Sequence, residues 1–349
     1  MKLWFERGAW ASKFGRRVLA EMSPESVRRI VVIRHAALGD MILTRPFLVE
    51  ARKFFPNAEI VLSIVSNYSY GVPHDLVDRI HVIQGSDQPQ AGLRARLARA
   101  RELGPSDILF DLADTTRSRY LTWLSDAKVK IGFPYRWYLR NLLFDAAVFR
   151  SDFVFEAEVM LDTLKLLGAN PKTPIQFNWP LDLQRTAEGS SAKNVIYFPF
   201  ASVKTKCWPR EHFTELIAAL ASQLPHYRHI ILAGIGEDED PFHFSNLADQ
   251  YQNVMCQPKL NLDLTIQLLA SSNLVISNDT GVRNLAISVD TPTLGIFFST
   301  VPHRYWPRGF GRHEVFFLPK GEIPAVEQVA AEARQILGKT DIQVEKIVC

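Results

Sequence analysis

Three short stretches carry side chains suited to chemistry on a phosphorylated substrate. The first is Ser277-Asn278-Asp279-Thr280-Gly281-Val282-Arg283-Asn284, which follows an apolar run at 273–277 and precedes an apolar segment ending near Ser288. A strand, an Asp-Thr-Gly turn and a helix start can present a phosphate to the backbone N–H groups of the helix N-terminus. Thr280 can add a hydroxyl, and Gly281 lets a ligand approach the backbone. The same residues also suit a plain strand-to-helix turn in which Asp279 accepts from the first helical N–H groups. The second stretch, residues 199–209, holds Ser202, Lys204, Thr205 and Lys206. A lysine beside hydroxyls on a strand-to-helix loop can offset the charge of a diphosphate, and a solvated loop lysine is the plainer alternative. The third is residues 35–40, where Asp40 follows Gly39 at a loop-to-helix junction. A carboxylate there can be a general base on a hydroxyl, or an N-cap.

A fourth candidate lies in Gly234-Ile235-Gly236-Glu237-Asp238-Glu239. It is no GxGxxG fingerprint, and the acid directly after Gly236 disfavours a phosphate cradle. Glu237 or Glu239 could accept from ribose hydroxyls, or form the acidic first turn of a helix.

These stretches need elements to position them. Short, continuous apolar runs at 29–34, 59–64, 79–83, 107–112 and 128–132 read as strands buried on both faces. Helical periodicity falls between them, at 41–55, 91–103 and 118–125. A helix at 157–167 ends at Gly168, and the Pro- and Ser-bearing stretch that follows has weak periodicity. Alternation restarts with strands at 194–198, 229–233, 273–277 and 293–297, and helices at 210–223, 262–270 and 326–337. The expectation is α/β: two parallel-sheet domains, at 29–170 and 193–349, joined by a linker at 171–192. The four stretches then fall at the carboxyl ends of strands, the first-half stretch with Asp40 and the other three in the second half.

The chain has 349 residues, 47% of them hydrophobic and 22% charged, the composition of a soluble globular protein of two domains. Its three cysteines, Cys207, Cys256 and Cys349, have no metal-ligand spacing and form no disulfide framework, which fits a reducing cytoplasm. Neither they nor the nine histidines suggest a metal site, and no cofactor is expected. The net charge of +3 is uneven, for residues 1–170 hold 24 Lys and Arg against 19 Asp and Glu. A basic first half points to an anionic partner for that half, or to a solvated basic face. No basic stripe interleaved with aromatics speaks for nucleic acid. Residues 1–28 mix Lys2, Arg7, Lys13, Arg16 and Arg17 with Trp4, Phe5, Trp10 and Phe14. They read as a helical segment that either lies on an anionic membrane surface or packs on the body of the protein. No run is long enough to span a membrane.

Residues 30–46, Ile-Val-Val-Ile-Arg-His-Ala-Ala-Leu-Gly-Asp-Met-Ile-Leu-Thr-Arg-Pro, resemble the opening motif of glycosyltransferase family 9. Phe198-Pro-Phe-Ala-Ser202 with Lys206-Cys-Trp-Pro-Arg-Glu-His-Phe213 resembles that family's lysine-Trp-Pro segment. Ser277-Asn-Asp-Thr-Gly281 with Leu285-Ala286 and Thr291-Pro292 resembles its donor motif. The motifs keep the family's order and spacing, and the resemblance covers roughly residues 29–338. It implies a GT-B architecture of two Rossmann-like domains around a cleft, and metal-free, inverting transfer from a nucleotide-activated sugar. It assigns Asp40 as the catalytic base, Lys206 and Ser202 to donor phosphate, Glu237 or Glu239 to ribose, and Asp279, Thr280 and Gly281 to the donor loop. It implies an ADP-heptose-like donor and a lipid-linked or lipopolysaccharide-core acceptor at the inner face of the cytoplasmic membrane. Arg117 and Arg119 are candidate acceptor contacts, or solvent-facing arginines.

Two departures bear on the donor. Asn284 stands where the family often has His, and Phe297-Phe-Ser-Thr300 stands where it usually has Phe-Gly-Pro-Thr. They leave room for another nucleotide sugar or acceptor, a protein or other glycan included. A non-catalytic paralogue that binds a nucleotide sugar is the remaining alternative, against which stand Asp40 and Lys206.

Overall fold

The apolar runs become the centres of two separate sheets. The computed structural model describes residues 8–88, 92–134, 140–184, 193–309 and 311–348. The chain divides into two units between Asn178 and Trp179. Residues 185–192 of the expected 171–192 linker lie outside the described residues.

The first unit has strands β1 (Ala9–Ala11), β2 (Arg29–Ile33), β3 (Glu59–Val65), β4 (Arg79–Ile83), β5 (Ser106–Asp111), β6 (Ala127–Gly132) and β7 (Ala146–Val148). They lie in the order β1-β7-β6-β5-β2-β3-β4. Every pairing is parallel except β1 on β7. Its helices are α1 (Lys13–Glu21), α2 (Leu38–Ile42), α3 (Arg45–Phe54), α4 (Leu93–Arg101), α5 (Thr116–Leu124), α6 (Arg140–Leu143) and α7 (Glu156–Lys165). The order reverses at β2: the chain moves outward through β3 and β4, then returns to place β5 on the other side of β2. The carboxyl ends of β2 and β5 are therefore a topological switch point, where α/β sheets leave a crevice. One face of this sheet packs Val31, Ile33 and Leu109 against Ala100 of α4, Leu103 and Leu121 of α5.

The single helix expected at 41–55 is two helices, broken at Leu43 and Thr44. Pro46 is the reason. It has no N–H to donate and its fixed φ suits a first turn, so α3 starts around it. Buried Arg45 on that turn grips both carboxylate oxygens of Asp75, at 2.8 and 2.6 Å, and the Phe177 and Asn178 carbonyls.

Within the 1–28 segment, residues 8–28 are described and belong to the first unit. β1 extends the sheet, and Ser12 caps α1 by accepting from the Gly15 N–H at 2.8 Å. Gly15 lies so close to the Asp145 carbonyl that a Cβ would collide with it. This packed arrangement is one of the two expected for the segment. The opposite side of α1 exposes Lys13, Phe14, Arg16 and Arg17. Lys2, Trp4, Phe5 and Arg7 lie outside the described residues.

The second unit has strands β8 (Asn194–Phe198), β9 (Arg228–Leu232), β10 (Val254–Gln257), β11 (Leu274–Asn278), β12 (Thr293–Phe297) and β13 (His313–Phe317), in the order β10-β9-β8-β11-β12-β13. All are parallel. Helices α8 (Arg210–Gln223), α9 (Ser245–Gln250), α10 (Leu262–Ala270), α11 (Gly281–Ser288) and α12 (Val326–Val348) complete it. The switch point lies between β8 and β11. Trp179 opens the unit and donates from its indole to Ser288 at 3.0 Å. Among the described residues no helix is long and apolar enough to cross a membrane.

Candidate functional site

In the first unit, Asp40 sits at the switch point, on the third residue of α2. The N-cap is Ala37, so the capping alternative does not hold. The Asp40 side chain is about one-third exposed and lies 3.4 Å from the Arg34 guanidinium. Arg34 itself is 2% exposed. It donates to the Asp40 carbonyl at 3.2 and 3.3 Å, to the Leu112 carbonyl at 2.5 Å, and to the fully buried Glu156 at 3.2 Å. Arg150 pairs with Glu156 from the other side. One buried cation thus ties the loop after β2, the loop after β5 and the start of α7 together. Removing one partner of such a pair costs about 3–5 kcal/mol, since the other charge is left buried alone.

The same edge holds His35, Asp111 and Asp114. His81 donates from Nε2 to the Arg99 carbonyl at 2.8 Å, so its Nδ1 accepts from the Ser63 hydroxyl at 3.0 Å. The Ser63 oxygen can then accept from His35 Nε2 at 3.4 Å. This chain fixes the His35 tautomer with a lone pair on the buried Nδ1. Burial, then the positive field of Arg117, lowers its pKa to about 3. Asp111 is buried at the end of β5 and accepts from the Ala113 and Asp114 N–H groups at 3.1 and 3.2 Å. Burial raises its pKa to about 6.

Of the two arginines considered for an acceptor, Arg119 is held by Asp114 at 3.3 Å. Arg117 is exposed on the first turn of α5, near enough for its charge to bear on His35. Both therefore belong to the strand-end edge that carries Asp40.

In the second unit, Lys206 and Asp279 meet. Lys206 Nζ lies 2.5 Å from Asp279 Oδ2, which also accepts from the Thr300 hydroxyl at 2.9 Å. Asp279 is thus engaged with Lys206, and does not cap the helix as the plain-turn reading has it. The N-cap of α11 is Thr280, which makes no side-chain cap. Gly281 opens the helix, so the positive end of α11 carries no capping carboxylate. Asn278 joins the two loops at the switch point. It accepts from the Trp208 N–H and donates to the Pro199 carbonyl, both at 2.9 Å. Ser202 is exposed on the same loop as Lys206.

Arg283, in the first turn of α11, is buried against Phe297, and its guanidinium donates to the Tyr305 carbonyl at 2.5 Å. Burial lowers its pKa to about 10. Asn284 is 5% exposed beside it. Phe298 of the Phe298-Ser299 departure packs against the core of this unit, and Thr300, where the chain keeps the resemblance's Thr, reaches the Asp279 carboxylate.

Glu237 and Glu239 have different fates. Glu239 folds back and accepts from the Gly236 N–H at 3.0 Å, and a side chain at Gly234 would collide with it. Glu237 is exposed at the tip of the turn. No helix begins there, so the acidic-first-turn alternative falls.

The residues that sequence reasoning missed are Arg34, Glu156, Asn278 and Arg283. A charged or amide residue inside or directly beside a buried strand was the available signal for Arg34 and Asn278. Glu156 and Arg283 left no local mark, because each is defined by a partner far along the chain. Among the described residues no three His, Cys, Asp or Glu side chains cluster as a metal-binding group.

Comparison with known proteins adds identity to this geometry. The sequence model of "Glycosyltransferase family 9 (heptosyltransferase)" matches residues 94–338. Lipopolysaccharide heptosyltransferase 1 of Escherichia coli K12 is 21% identical over 301 residues, spanning 82% of this chain and 92% of that protein. Among solved structures, E. coli heptosyltransferase WaaC with ADP matches with a TM-score of 0.69 at 21% identity, over 89% of this chain and 99% of that one. E. coli ADP-heptose lps heptosyltransferase II matches with a TM-score of 0.65 at 16% identity, over 90% and 99%. The structural likeness shows the fold: two parallel α/β sheets of the GT-B class.

Proposed function

The chain belongs to glycosyltransferase family 9, and from that membership we propose that it is an inverting, metal-independent heptosyltransferase acting from ADP-heptose on a hydroxyl of a lipopolysaccharide or lipid A–core saccharide. The relatives named above, heptosyltransferases seen with ADP or named for ADP-heptose, support that donor. The observation that carries the reading is the meeting of Lys206 and Asp279 beside the uncapped N-terminus of α11.

That arrangement suits a departing diphosphate. Negative charge grows on its terminal phosphate as the bond to the anomeric carbon breaks. Lys206 and the first N–H groups of α11 can stabilise it there, with Asp279 and Thr300 holding Lys206 in place. Ser202 adds a hydroxyl to a phosphate oxygen, Glu237 accepts from ribose, and Thr280, Gly281 and Asn284 border the sugar. Asp40 takes the proton of the acceptor hydroxyl as its oxygen bonds to the anomeric carbon from the side opposite the diphosphate. The carbon inverts, and a nucleoside diphosphate leaves. Arg34 supports Asp40 from below by fixing its backbone. Arg117 and Arg119 meet anionic groups of the acceptor in this reading. Such an enzyme works in the cytoplasm, at the inner face of the membrane that carries its acceptor.

The test is Asp40→Asn. Calorimetric affinity for ADP should stay near that of the parent chain, while turnover falls by about 10²-fold or more, as for loss of a general base. Near-normal turnover would remove Asp40 from the mechanism. A thermal shift specific to UDP or GDP would move the donor elsewhere.

A further inference from the structure

The outer face of the α4–α5–α6 layer carries a pattern that, Arg117 apart, glycosyl transfer does not use. Ala100 of α4, Leu103 and Leu121 of α5 pack into the same side of the first sheet, so α4 and α5 lie together on one face. α6 packs against α5. Around the arc of α4 not covered by Leu97 and Ala100, Arg94, Arg96, Arg99 and Arg101 are exposed. Of these, Arg99 meets Glu102 at 2.7 Å. α5 exposes Arg117, Tyr120 and Trp123, a stripe at helical spacing. Trp123 is 62% exposed, with the Tyr120 ring 6.3 Å away, and Leu142 on α6 is 72% exposed. Large apolar side chains left in water beside five arginines call for a partner that is both anionic and apolar.

We propose that this face docks on an anionic phospholipid surface, with the arginines at the level of the phosphates and Tyr120, Trp123 and Leu142 entering the headgroup boundary. Arginine contributes through Coulomb attraction to acidic headgroups, and Trp and Tyr favour the boundary because their rings are amphipathic. Leu142 argues for lipid over a polynucleotide, since an aliphatic side chain has no base to stack on. Arg117 closes the stripe at the strand-end edge that holds Asp40, so a docked molecule would keep that edge beside the lipid surface. The proposal rests on the reading of a lipid-linked acceptor, but its test needs neither donor nor acceptor. α1 also exposes Lys13, Arg16 and Arg17 with Phe14, and makes the natural control.

The experiment is co-sedimentation of the full chain with vesicles of phosphatidylcholine alone, or of phosphatidylcholine with phosphatidylglycerol. Binding should require phosphatidylglycerol and weaken with salt. Each arginine near such a surface is worth about fivefold in partitioning, so the triple variant R94Q/R96Q/R101Q should bind roughly a hundredfold more weakly. Trp123→Gln should also weaken binding, with little change in its salt dependence. K13Q/R16Q/R17Q should bind as the parent chain does. Parent-like binding by R94Q/R96Q/R101Q, loss confined to the α1 variant, or tighter binding to polynucleotide than to anionic vesicles would each overturn the proposal. Calorimetry with ADP on the same variants separates this outcome from failure of the transferase reading, because none of the changed residues belongs to the donor site.

Discussion

Replacing Lys206 by Met tests the donor site most sharply, because this lysine has two separable jobs. In the chain without ligand it neutralises Asp279, whose side chain is only 11% exposed. With ligand it is to stabilise the diphosphate. A hydrogen bond to a charged group is worth about 1.5–3 kcal/mol, so ADP should bind Lys206→Met roughly 10- to 150-fold more weakly. The same change leaves Asp279 with the Thr300 hydroxyl as its donor and the charge of Arg283 nearby. Stability should fall by about 1–3 kcal/mol, less than for a fully buried pair because Lys206 is 27% exposed. Adding Asp279→Asn removes the stranded charge. The double variant should regain most of that stability and none of the affinity. Urea unfolding gives the first quantity and calorimetry with ADP, without acceptor, the second, in a double-mutant cycle. Unchanged ADP affinity in Lys206→Met would refute the phosphate role. Recovery of affinity in the double variant would show that Lys206 serves only to hold Asp279.

Transfer activity should survive dialysis against EDTA, and restoration of a lost activity by a divalent ion would contradict leaving-group stabilisation by Lys206 and α11. Gly15→Ala should lower stability by roughly 1–3 kcal/mol in urea unfolding, since the new methyl meets the Asp145 carbonyl; an unchanged midpoint would mean α1 does not press on β7. Acid should loosen both units. His229 and His313 are kept neutral by burial, with pKa values of about 4 and about 3, as is His35 in the first unit, at about 3. Their folded values lie below the unfolded one, so the stability they contribute is present above about pH 6.5 and lost as pH falls. Asp111 runs the other way, for its raised value favours the fold as pH drops below about 6. At pH 5 each of these three histidines costs about 2 kcal/mol and Asp111 offsets about 1, while His81, also held below its usual value by burial, adds to the loss in the first unit. Hydrogen exchange at pH 7.5 and pH 5 checks this, and unchanged protection at pH 5 would contradict it.

The central strands of both sheets were legible because burial on two faces demands continuous apolar runs, as in Ile30-Val31-Val32-Ile33. Four strands were not. β1, β10 and β13 lie at sheet edges, β7 has only three residues, and Val254-Met255-Cys256-Gln257 has neither alternation nor a β-branched run. Candidate residues could be named from loop position, but their company could not. Lys206 and Asp279 lie 73 residues apart, and Arg34 and Glu156 lie 122 apart. No local rule joins them. The strand order does, by returning β11 to the side of β8 and β5 to the side of β2. Glu239 shows the reverse, a residue whose local role decided the matter: its carboxylate closes its own turn and leaves Glu237 outward.

The amide of Asn278 has a consequence for how the Lys206 loop behaves. It grips Pro199 at one end of that loop and Trp208 near the other, so the segment between is a ring closed by a single side chain. A closed ring cannot swing as a lid does; its middle, with Ser202 exposed, can only flutter about fixed ends. Much of the entropy of ordering this loop is therefore given up when the unit folds, before any nucleotide arrives. Residues in the middle of the ring can then vary in kind while the lysine stays where it is.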